Sequence, residues 1–283
     1  NNMQRLDSAQ TKMSTQSEIQ LASDDPIVAT KALKYRNYVA TIEQYQSNAA
    51  DATSWMEVTE DALGSLEDIV QRARELTVQA ASGTLTESDQ ADIAEEIGEL
   101  KSSAVEVLNS TYAGRYIFGG YATDKAPYAI QSTNINNSST SETTSVDQVL
   151  FKGKYLSLYG AVSSSVADSD LLAAYNSCAA TTTGGVTTSN IYTSANAQTI
   201  KYNMGYSSET AVNVEGQDVT GAGAANLFDT LDKLLLGLDG ETSCKKIVVD
   251  ATTSTASVIE TGFSLDGLLT DIDNNLALIS TAT

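Results

Sequence analysis

Apolar residues recur in a helical heptad pattern over one long stretch, from Pro26 to about Ala81. Two rows, offset by three residues, each repeat every seven residues. The first row contains Val28, Tyr35, Ile42, Ala49, Met56, Leu63, Val70 and Thr77, and the second contains Tyr38, Tyr45, Ala52, Thr59, Leu66, Ala73 and Ala80. This spacing predicts a helix that packs lengthwise on other helices. The predicted seam of that bundle contains Ile42, Met56, Leu63, Leu66 and Val70. At about 1.5 Å per residue the helix would be about 85 Å long, which implies an elongated molecule.

The start of this helix is marked by the segment Ser23-Asp24-Asp25-Pro26. We interpret Asp24 or Asp25 as a cap that accepts hydrogen bonds from the first free backbone N–H groups, with Pro26 as the first helical residue. Two adjacent carboxylates could also belong to a metal or acid–base site. No further Asp, Glu or His clusters near them in the sequence, which favours the cap.

A second helix is predicted to follow almost directly. Gly83 ends the first helix, because glycine adopts the left-handed conformation at low cost, and Thr86 with Asp89 has the spacing of a capping box. One apolar stripe then extends to about Ser110 and contains Ile93, Ile97, Leu100, Ala104 and Val107. The short link makes the two helices antiparallel. Gly64, inside the first helix, has two explanations: a close approach by another element, or simple tolerance.

The character of the chain changes near Pro127. Short alternating runs rich in β-branched residues, separated by Ser/Thr/Asn-rich loops, predict a β-rich domain over 126–222, with a short helix near Leu171. The tail then returns to helix. Asn226 is predicted to cap a helix over 227–238, and the last helix repeats the 3–4 spacing with seam residues Leu265, Leu269, Ile272 and Leu276.

The predicted fold class is therefore α+β and multidomain. Residues 1–125 form the first part of an elongated α-helical bundle, residues 126–222 form an inserted β-rich domain, and residues 223–283 contain the C-terminal helices that return to the bundle.

Composition excludes several classes of function. The formal net charge of −20 argues against nucleic acids and anionic membranes as partners. The chain has no His, and its sequence shows no catalytic constellation, cofactor site or metal-ligand spacing. Cys178 and Cys244 could pair outside the cell or remain free thiols, and free thiols are favoured. No apolar run approaches the ~18 residues of a transmembrane helix, and no secretion signal is recognisable.

Several segments resemble one protein family. They are Ser23-Asp24-Asp25-Pro26, Gln71-Arg72-Ala73-Arg74-Glu75-Leu76-Thr77-Val78-Gln79 and Gly114-Arg115-Tyr116-Ile117-Phe118-Gly119-Gly120. Together they are similar to the flagellin superfamily, and the last one is typical of its hook–filament junction branch. The resemblance covers about residues 20–128 and continues over 226–231 and the final helix. Residues 16–22 depart from the family pattern, and the family's extreme terminal helices are largely absent.

The resemblance implies a flagellin-like rod domain with a structural role and no catalysis. It implies export by the flagellar type III apparatus without a cleaved signal peptide, an extracellular place in the bacterial flagellum, and an export chaperone for the full-length chain. The implied partners are hook-associated protein 1, flagellin and further copies of the chain in a ring. Without the terminal helices, we expect a soluble monomer. Tyr35, Tyr38 and Tyr45 are the predicted assembly contacts, because they lie where the rod has the least cover.

A further hypothesis concerns Arg72, Leu76 and Gln79. They match flagellin positions that an innate immune receptor recognises, so the resemblance implies that they are receptor contacts. The alternative interpretation, in which Arg72 is solvated and Leu76 belongs to the bundle core, is favoured.

Three other functions stay open at the level of sequence. The chain could be a flagellin, the bulk subunit of the filament. It could be an enzyme, for which the candidate carboxylates are Asp147, Asp168, Asp170 and Asp218, although no spacing among them marks a pair. It could also be an adhesin or receptor-binding module, acting through the Ser/Thr-rich middle domain.

Overall fold

A computed structural model describes residues 2–16, 26–136, 138, 143–183, 186–193, 198–221, 226–249 and 256–282. The chain divides into two compact units. The first unit contains Asn1–Thr53 and Tyr202–Thr210, and the second contains Ser54–Lys201 and Ala211–Thr283. The long predicted helix is shared between them.

The helices of the described residues begin and end as follows: α1 Asn2–Thr15, α2 Pro26–Ala81, α3 Glu87–Leu108, α4 Asp168–Cys178, α5 Gly216–Thr220, α6 Leu227–Leu238 and α7 Leu265–Ala282. The predicted bounds of α2 are confirmed, and Gly83 follows it with a positive φ of 67°. Asp24 and Asp25 lie outside the described residues, so their capping role stays a prediction. A Cβ placed on Gly64 would meet nothing within 4 Å, so no close approach explains this glycine.

Two predicted helix caps are present. The Thr86 hydroxyl accepts a hydrogen bond from the Asp89 amide at 3.3 Å, and the Asp89 carboxylate accepts one from the Thr86 amide at 2.9 Å. This reciprocal pair is the capping box, and the same bonds to the carboxylate lower the pKa of Asp89. Asn226 caps α6 by accepting a hydrogen bond from the Asp229 amide at 2.9 Å. Both caps fix the start of a helix whose apolar face enters the core.

The strands form small antiparallel sheets. Their bounds are β1 Thr111–Tyr112, β2 Arg115–Tyr116, β3 Tyr128–Asn136, β4 Thr143–Phe151, β5 Lys154–Tyr155, β6 Val162–Ser163, β7 Ala180–Thr183, β8 Val186–Ser189, β9 Lys201–Gly205, β10 Ser208–Ala211, β11 Ser243–Val249 and β12 Ala256–Gly262. One sheet has the order β3-β4-β5 and another β12-β11-β6, while β1–β2, β7–β8 and β9–β10 are two-stranded.

One of these sheets connects distant parts of the chain. Strand β11 pairs with β6, and Ile247 of β11 and Val258 of β12 pack on a buried apolar cluster that includes Tyr159 and Leu171. The sequence pattern predicts only helices in this tail and does not indicate the β11–β12 hairpin. The division of the chain at residues 125 and 222 stays a prediction.

Burial along α2 differs from the predicted seam. The buried residues of α2 are Ala52, Trp55, Thr59, Ala62, Leu63, Leu66, Val70, Ala73, Leu76, Thr77 and Ala80. Leu63, Leu66 and Val70 therefore lie in the core as the seam requires. Ile42, 63% exposed, and Met56, 42% exposed, were wrongly placed there. No described residue buries Ile42, and at Met56 the neighbouring Trp55 takes the buried position, where its ring contacts Tyr112.

The buried row of α7 is also offset from the prediction. Leu268, Ile272, Asn275 and Ile279 are buried, whereas Leu265, Leu269 and Leu276 are half-buried at the flank. The apolar pattern missed this row because one of its members is polar. The Asn275 amide donates hydrogen bonds to the Asp271 carbonyl at 2.8 Å and to the Thr230 hydroxyl at 3.4 Å, which makes its burial tolerable.

Across the residues that the structure describes, no helix has both the length and the apolar character needed to cross a membrane.

Candidate assembly surface

The first half of α2 carries an uncovered apolar stripe. We call Tyr35, Tyr38, Val39 and Ile42 the bare seam, and each of these side chains is more than half exposed. Tyr35, Tyr38 and Ile42 belong to the two heptad rows that are mostly buried from Ala52 onward, and Val39 lies beside them. Large apolar side chains exposed in a contiguous row mark interaction surfaces on soluble proteins. The bare seam is therefore the candidate site for contact with another subunit.

The predicted assembly tyrosines are not equivalent. Tyr35 and Tyr38 are exposed, at 66% and 53%, whereas Tyr45 is half-buried. One turn beyond Tyr45, the Asn48 amide donates a hydrogen bond to the Asn203 carbonyl of β9 at 2.8 Å. The bare seam therefore ends where β9 begins to cover the helix, and its centre lies at Tyr35 and Tyr38.

Charge near the bare seam is positive, in contrast to the acidic chain as a whole. Lys31, Lys34 and Arg36 lie on the same turns, and the Lys34 ammonium lies 5.7 Å from the centre of the Tyr38 ring. This distance allows a cation–π interaction, which orders the tyrosine side chain. A row of aromatic and aliphatic side chains flanked by basic ones suits packing against an acidic helix of a neighbouring molecule.

The second half of α2 is packed within its own unit. Trp55 contacts Tyr112 edge to face, with ring centres 5.8 Å apart. On the outer side of the helix, the Arg74 guanidinium pairs with Asp273 of α7 at 2.7 Å, and Arg72 pairs with Glu96 of α3 at 2.7 Å. These exposed ion pairs align α2 with its neighbours but contribute little stability, because solvent screens them.

The three proposed receptor contacts do not form one exposed patch. Leu76 is buried in the core, 2% exposed, while Gln79 is exposed and Arg72 is half-exposed. Arg72 also pairs with Glu75 at 3.1 Å. The structure places Leu76 where the core interpretation predicted, and only Arg72 and Gln79 are accessible on this face.

A buried ion pair joins α3 to α6, and sequence analysis did not find it. The Lys101 ammonium lies 2.5 Å from the Asp232 carboxylate and 3.2 Å from the Asp147 carbonyl of β4. Burial raises the pKa of Asp232, and the Lys101 charge offsets part of that effect. Spacing could not have revealed the pair, because its members are more than a hundred residues apart in the chain.

The four candidate catalytic carboxylates are engaged separately. Asp147 accepts a hydrogen bond from Ser132, Asp168 pairs with Lys245 at 2.9 Å, and Asp170 accepts bonds from the Ser138 amide and hydroxyl. Asp218 lies at the surface on α5. Within the described ranges, no group of His, Cys, Asp and Glu side chains has the arrangement of a metal site. Cys178 and Cys244 are both free thiols, which agrees with the favoured expectation.

Comparison with protein families gives one match in the helical region. The family described as bacterial flagellin N-terminal helical region matches residues 1–123. The chain is 35% identical over 119 residues to flagellar hook-associated protein 3 of Escherichia coli K12, across 42% of this chain and 38% of that protein. It is 33% identical over 137 residues to the protein of the same name from Salmonella typhimurium, across 48% and 43% of the two chains. The chain therefore spans about two fifths of the length of these curated relatives.

Flagellins match over a smaller share of their length. The flagellin of Escherichia coli K12 is 36% identical over 96 residues, which is 34% of this chain and 19% of that protein. Among solved structures, a protein assigned as flagellar hook-associated from Vibrio parahaemolyticus has a TM-score of 0.57 at 17% identity. That similarity covers 93% of this chain and 86% of the other, and it shows a common fold.

Proposed function

We propose that this chain is a member of the flagellin family and a structural protein of the bacterial flagellum that joins the hook to the filament. The observation that carries the proposal is the bare seam of α2, a row of large apolar side chains that no other described residues bury. The matches to proteins named flagellar hook-associated protein 3 favour the junction over the filament itself, because they extend further along both chains than the flagellin matches do.

The proposed mechanism is helix packing without chemistry. Tyr35, Tyr38, Val39 and Ile42 would become buried against a neighbouring subunit, and each large side chain so buried contributes about 1.5–3 kcal/mol of hydrophobic free energy. Because the contact is repeated around a ring, the total free energy of association would be large although each single interface is small. The proposed partners are further copies of the chain, hook-associated protein 1 on one side and flagellin on the other. An export chaperone would hold the full-length chain before secretion.

The three predicted domains have separate roles in this proposal. The helical parts, 1–125 and 223–283, would form the ring, and the β-rich part, 126–222, would stand outside the helical contacts. A receptor contact through Arg72, Leu76 and Gln79 would require the side chain of Leu76 to leave the core.

The test is genetic and biochemical. A strain that lacks the full-length protein should still assemble hooks but release flagellin monomer into the medium, and the wild-type gene should restore attached filaments. Retention of filaments in the deletion strain would contradict the junction role. If the protein proved to be the main mass of sheared filaments, it would be a flagellin instead.

A matched pair of substitutions tests the bare seam. Tyr38→Glu places a carboxylate in the seam, whereas Asn37→Glu adds the same charge to the next residue, which is exposed and outside both heptad rows. Only Tyr38→Glu should fail to restore attached filaments, although both proteins should be secreted in equal amounts. Full restoration of attached filaments by Tyr38→Glu would show that the bare seam is not part of the interface. The junction role would then depend on the result from the deletion strain alone.

A further inference from the structure

A groove in the second unit separates two sheets. Its volume is about 900 Å³, and it is lined by α3, α6, Ile130 of β3, Thr144–Asp147 of β4 and the segment Ala161–Ser163 that contains β6. Successive side chains of a strand point to opposite faces, so a cavity lined by four consecutive residues of β4 reaches the edge of that strand, and Ile130 shows that it also extends over one face of the sheet. The groove therefore runs along one edge of β4, with β6 on its other side.

The polar groups of the β4 backbone face this groove at alternate residues. The Val149 carbonyl points away from β3, because it accepts a hydrogen bond from the Leu156 amide at 3.0 Å. Two residues earlier, the Asp147 carbonyl accepts its bond from Lys101. In an antiparallel strand alternate residues direct their N–H and C=O groups to the same side, so those of Ser145 must also point away from β3.

Ser145 differs from Val149 and Asp147 because its outward groups have no backbone partner among the described residues. Its side of β4 is bordered by Thr144 and Val146, which are half-buried in the groove. An unpaired strand edge of this kind is a template for another strand. On the opposite side of the groove, β6 already pairs with β11, so it offers only its remaining edge.

The negative charge of the groove favours a basic ligand. Four acidic side chains line it, Glu87, Asp147, Asp232 and Asp239, against the single cation Lys101. Lys101 is already paired with Asp232, so the remaining rim is negative. The basic stretch of this chain beside the bare seam is helical, so it does not offer an extended basic strand from a second copy.

We propose that this groove binds an extended, basic segment of a partner protein, which adds as a strand to the free edge of β4 at Ser145. Its backbone pairs with the Ser145 N–H and C=O groups, and its Lys or Arg side chains lie beside Glu87 and Asp239. About four residues are needed, because a strand rises about 3.3 Å per residue and the lining stretch of β4 is four residues long. The site is separate from the bare seam and goes beyond the junction role.

The direct test uses the whole chain and a synthetic probe. The probe is a fluorescein-labelled peptide of alternating Lys and Val, and its binding is followed by fluorescence anisotropy at low ionic strength. Saturable binding that weakens with added salt is expected, since exposed charge pairs are screened. The same peptide with Glu in place of Lys should not bind, and a peptide with N-methylated backbone amides should lose about tenfold in affinity or more.

Two proline variants form a matched pair on the protein. Ser145→Pro removes an outward N–H on the groove side, and Asn134→Pro removes the outward N–H of the residue directly opposite, on the far edge of β3. Ser145→Pro should weaken peptide binding about tenfold, and Asn134→Pro should leave it within about twofold. Circular dichroism establishes that each variant is folded.

The proposal is overturned if the basic peptide shows no saturable binding, if the acidic peptide binds equally well, or if N-methylation of the peptide has no effect. The last comparison leaves the protein unchanged, so it decides the question even if Ser145→Pro does not fold. Equal affinity of folded Ser145→Pro and Asn134→Pro proteins would likewise contradict strand addition at this edge.

Discussion

The two halves of α2 share one heptad pattern but have opposite surroundings. From Ala52 to Ala80 the seam is buried except at Met56, with Leu66 and Ala73 fully covered. From Tyr35 to Ile42 the same rows are exposed to solvent. The difference shows that a hydrophobic pattern specifies which face of a helix is to be covered but does not specify by what. In the second half the covering residues come from the same chain, and for the first half we propose that they come from a neighbouring subunit.

The largest expected contrast is between two charge substitutions in the seam. Leu66→Asp would bury an unpaired carboxylate and should lower the free energy of unfolding by about 4 kcal/mol. Ile42→Asp lies on the exposed half and should change it by no more than about 0.5 kcal/mol. Denaturant unfolding followed by circular dichroism measures both. Equal effects would mean that the two halves are not differently covered in solution.

A pH dependence should be confined to the second unit, which contains the covered half of α2. Asp229 is buried at the start of α6, and burial raises its pKa to about 7, with the Ser157 hydroxyl offsetting part of the effect. Its pKa in the unfolded chain is about 3.9, so the folded state holds the proton more tightly. The resulting stability is present at low pH and is lost as pH rises from about 4 to about 7. Between pH 5 and pH 8 the loss should be about 2–3 kcal/mol.

Asp229→Asn should remove this loss, because the amide is neutral at every pH. Stability of the variant should therefore fall less than that of the wild type between pH 5 and pH 8, as measured by denaturant unfolding. Asp239→Asn, an exposed position just after the same helix, is the matched control and should behave as the wild type does. The rates of amide hydrogen exchange at residues 26–50 should not change in Asp229→Asn. A change there as large as at residues 54–81 would mean that the two halves of α2 unfold as one cooperative unit.

The smallest expected effect is a gain within the covered half. Gly64→Ala should stabilise the protein by about 0.5–1 kcal/mol, because a Cβ at this helical position meets nothing and alanine has the higher helix propensity. Gly216→Ala is the contrasting control, since its Cβ would collide with the Tyr128 ring and should destabilise the protein by about 1–3 kcal/mol. Thermal unfolding distinguishes the two, and a loss of stability in Gly64→Ala would contradict an open environment there.

Local signals made much of the helical structure predictable from sequence. Pro26 and Gly83 bracket α2, Thr86 with Asp89 starts α3, and Asn226 starts α6, because each of these residues acts on backbone groups within one turn of itself. The short helix α4 around Leu171 was likewise found. What these features share is that they depend on neighbours in sequence.

Features that depend on distant residues were missed. The β11–β12 hairpin carries Lys245, Lys246 and Glu260 among its apolar residues, so its alternation is weak, and its place in the fold is set by pairing with β6. The Lys101–Asp232 pair exists only after α3 and α6 have packed. The exposure of Ile42 could not be predicted for the same reason, since a bare and a covered heptad have the same sequence pattern.

Trp55 gives the molecule a built-in spectroscopic reporter. It is the single tryptophan of the chain, it lies two residues after the first unit ends, and it is buried against Tyr112. Its side chain is only 4% exposed, so its emission should be blue-shifted. Water reaching the first covered turns of α2 would shift that emission to the red. Intrinsic fluorescence, without any added label, would therefore report whether these turns stay buried when the proposed assembly contact forms.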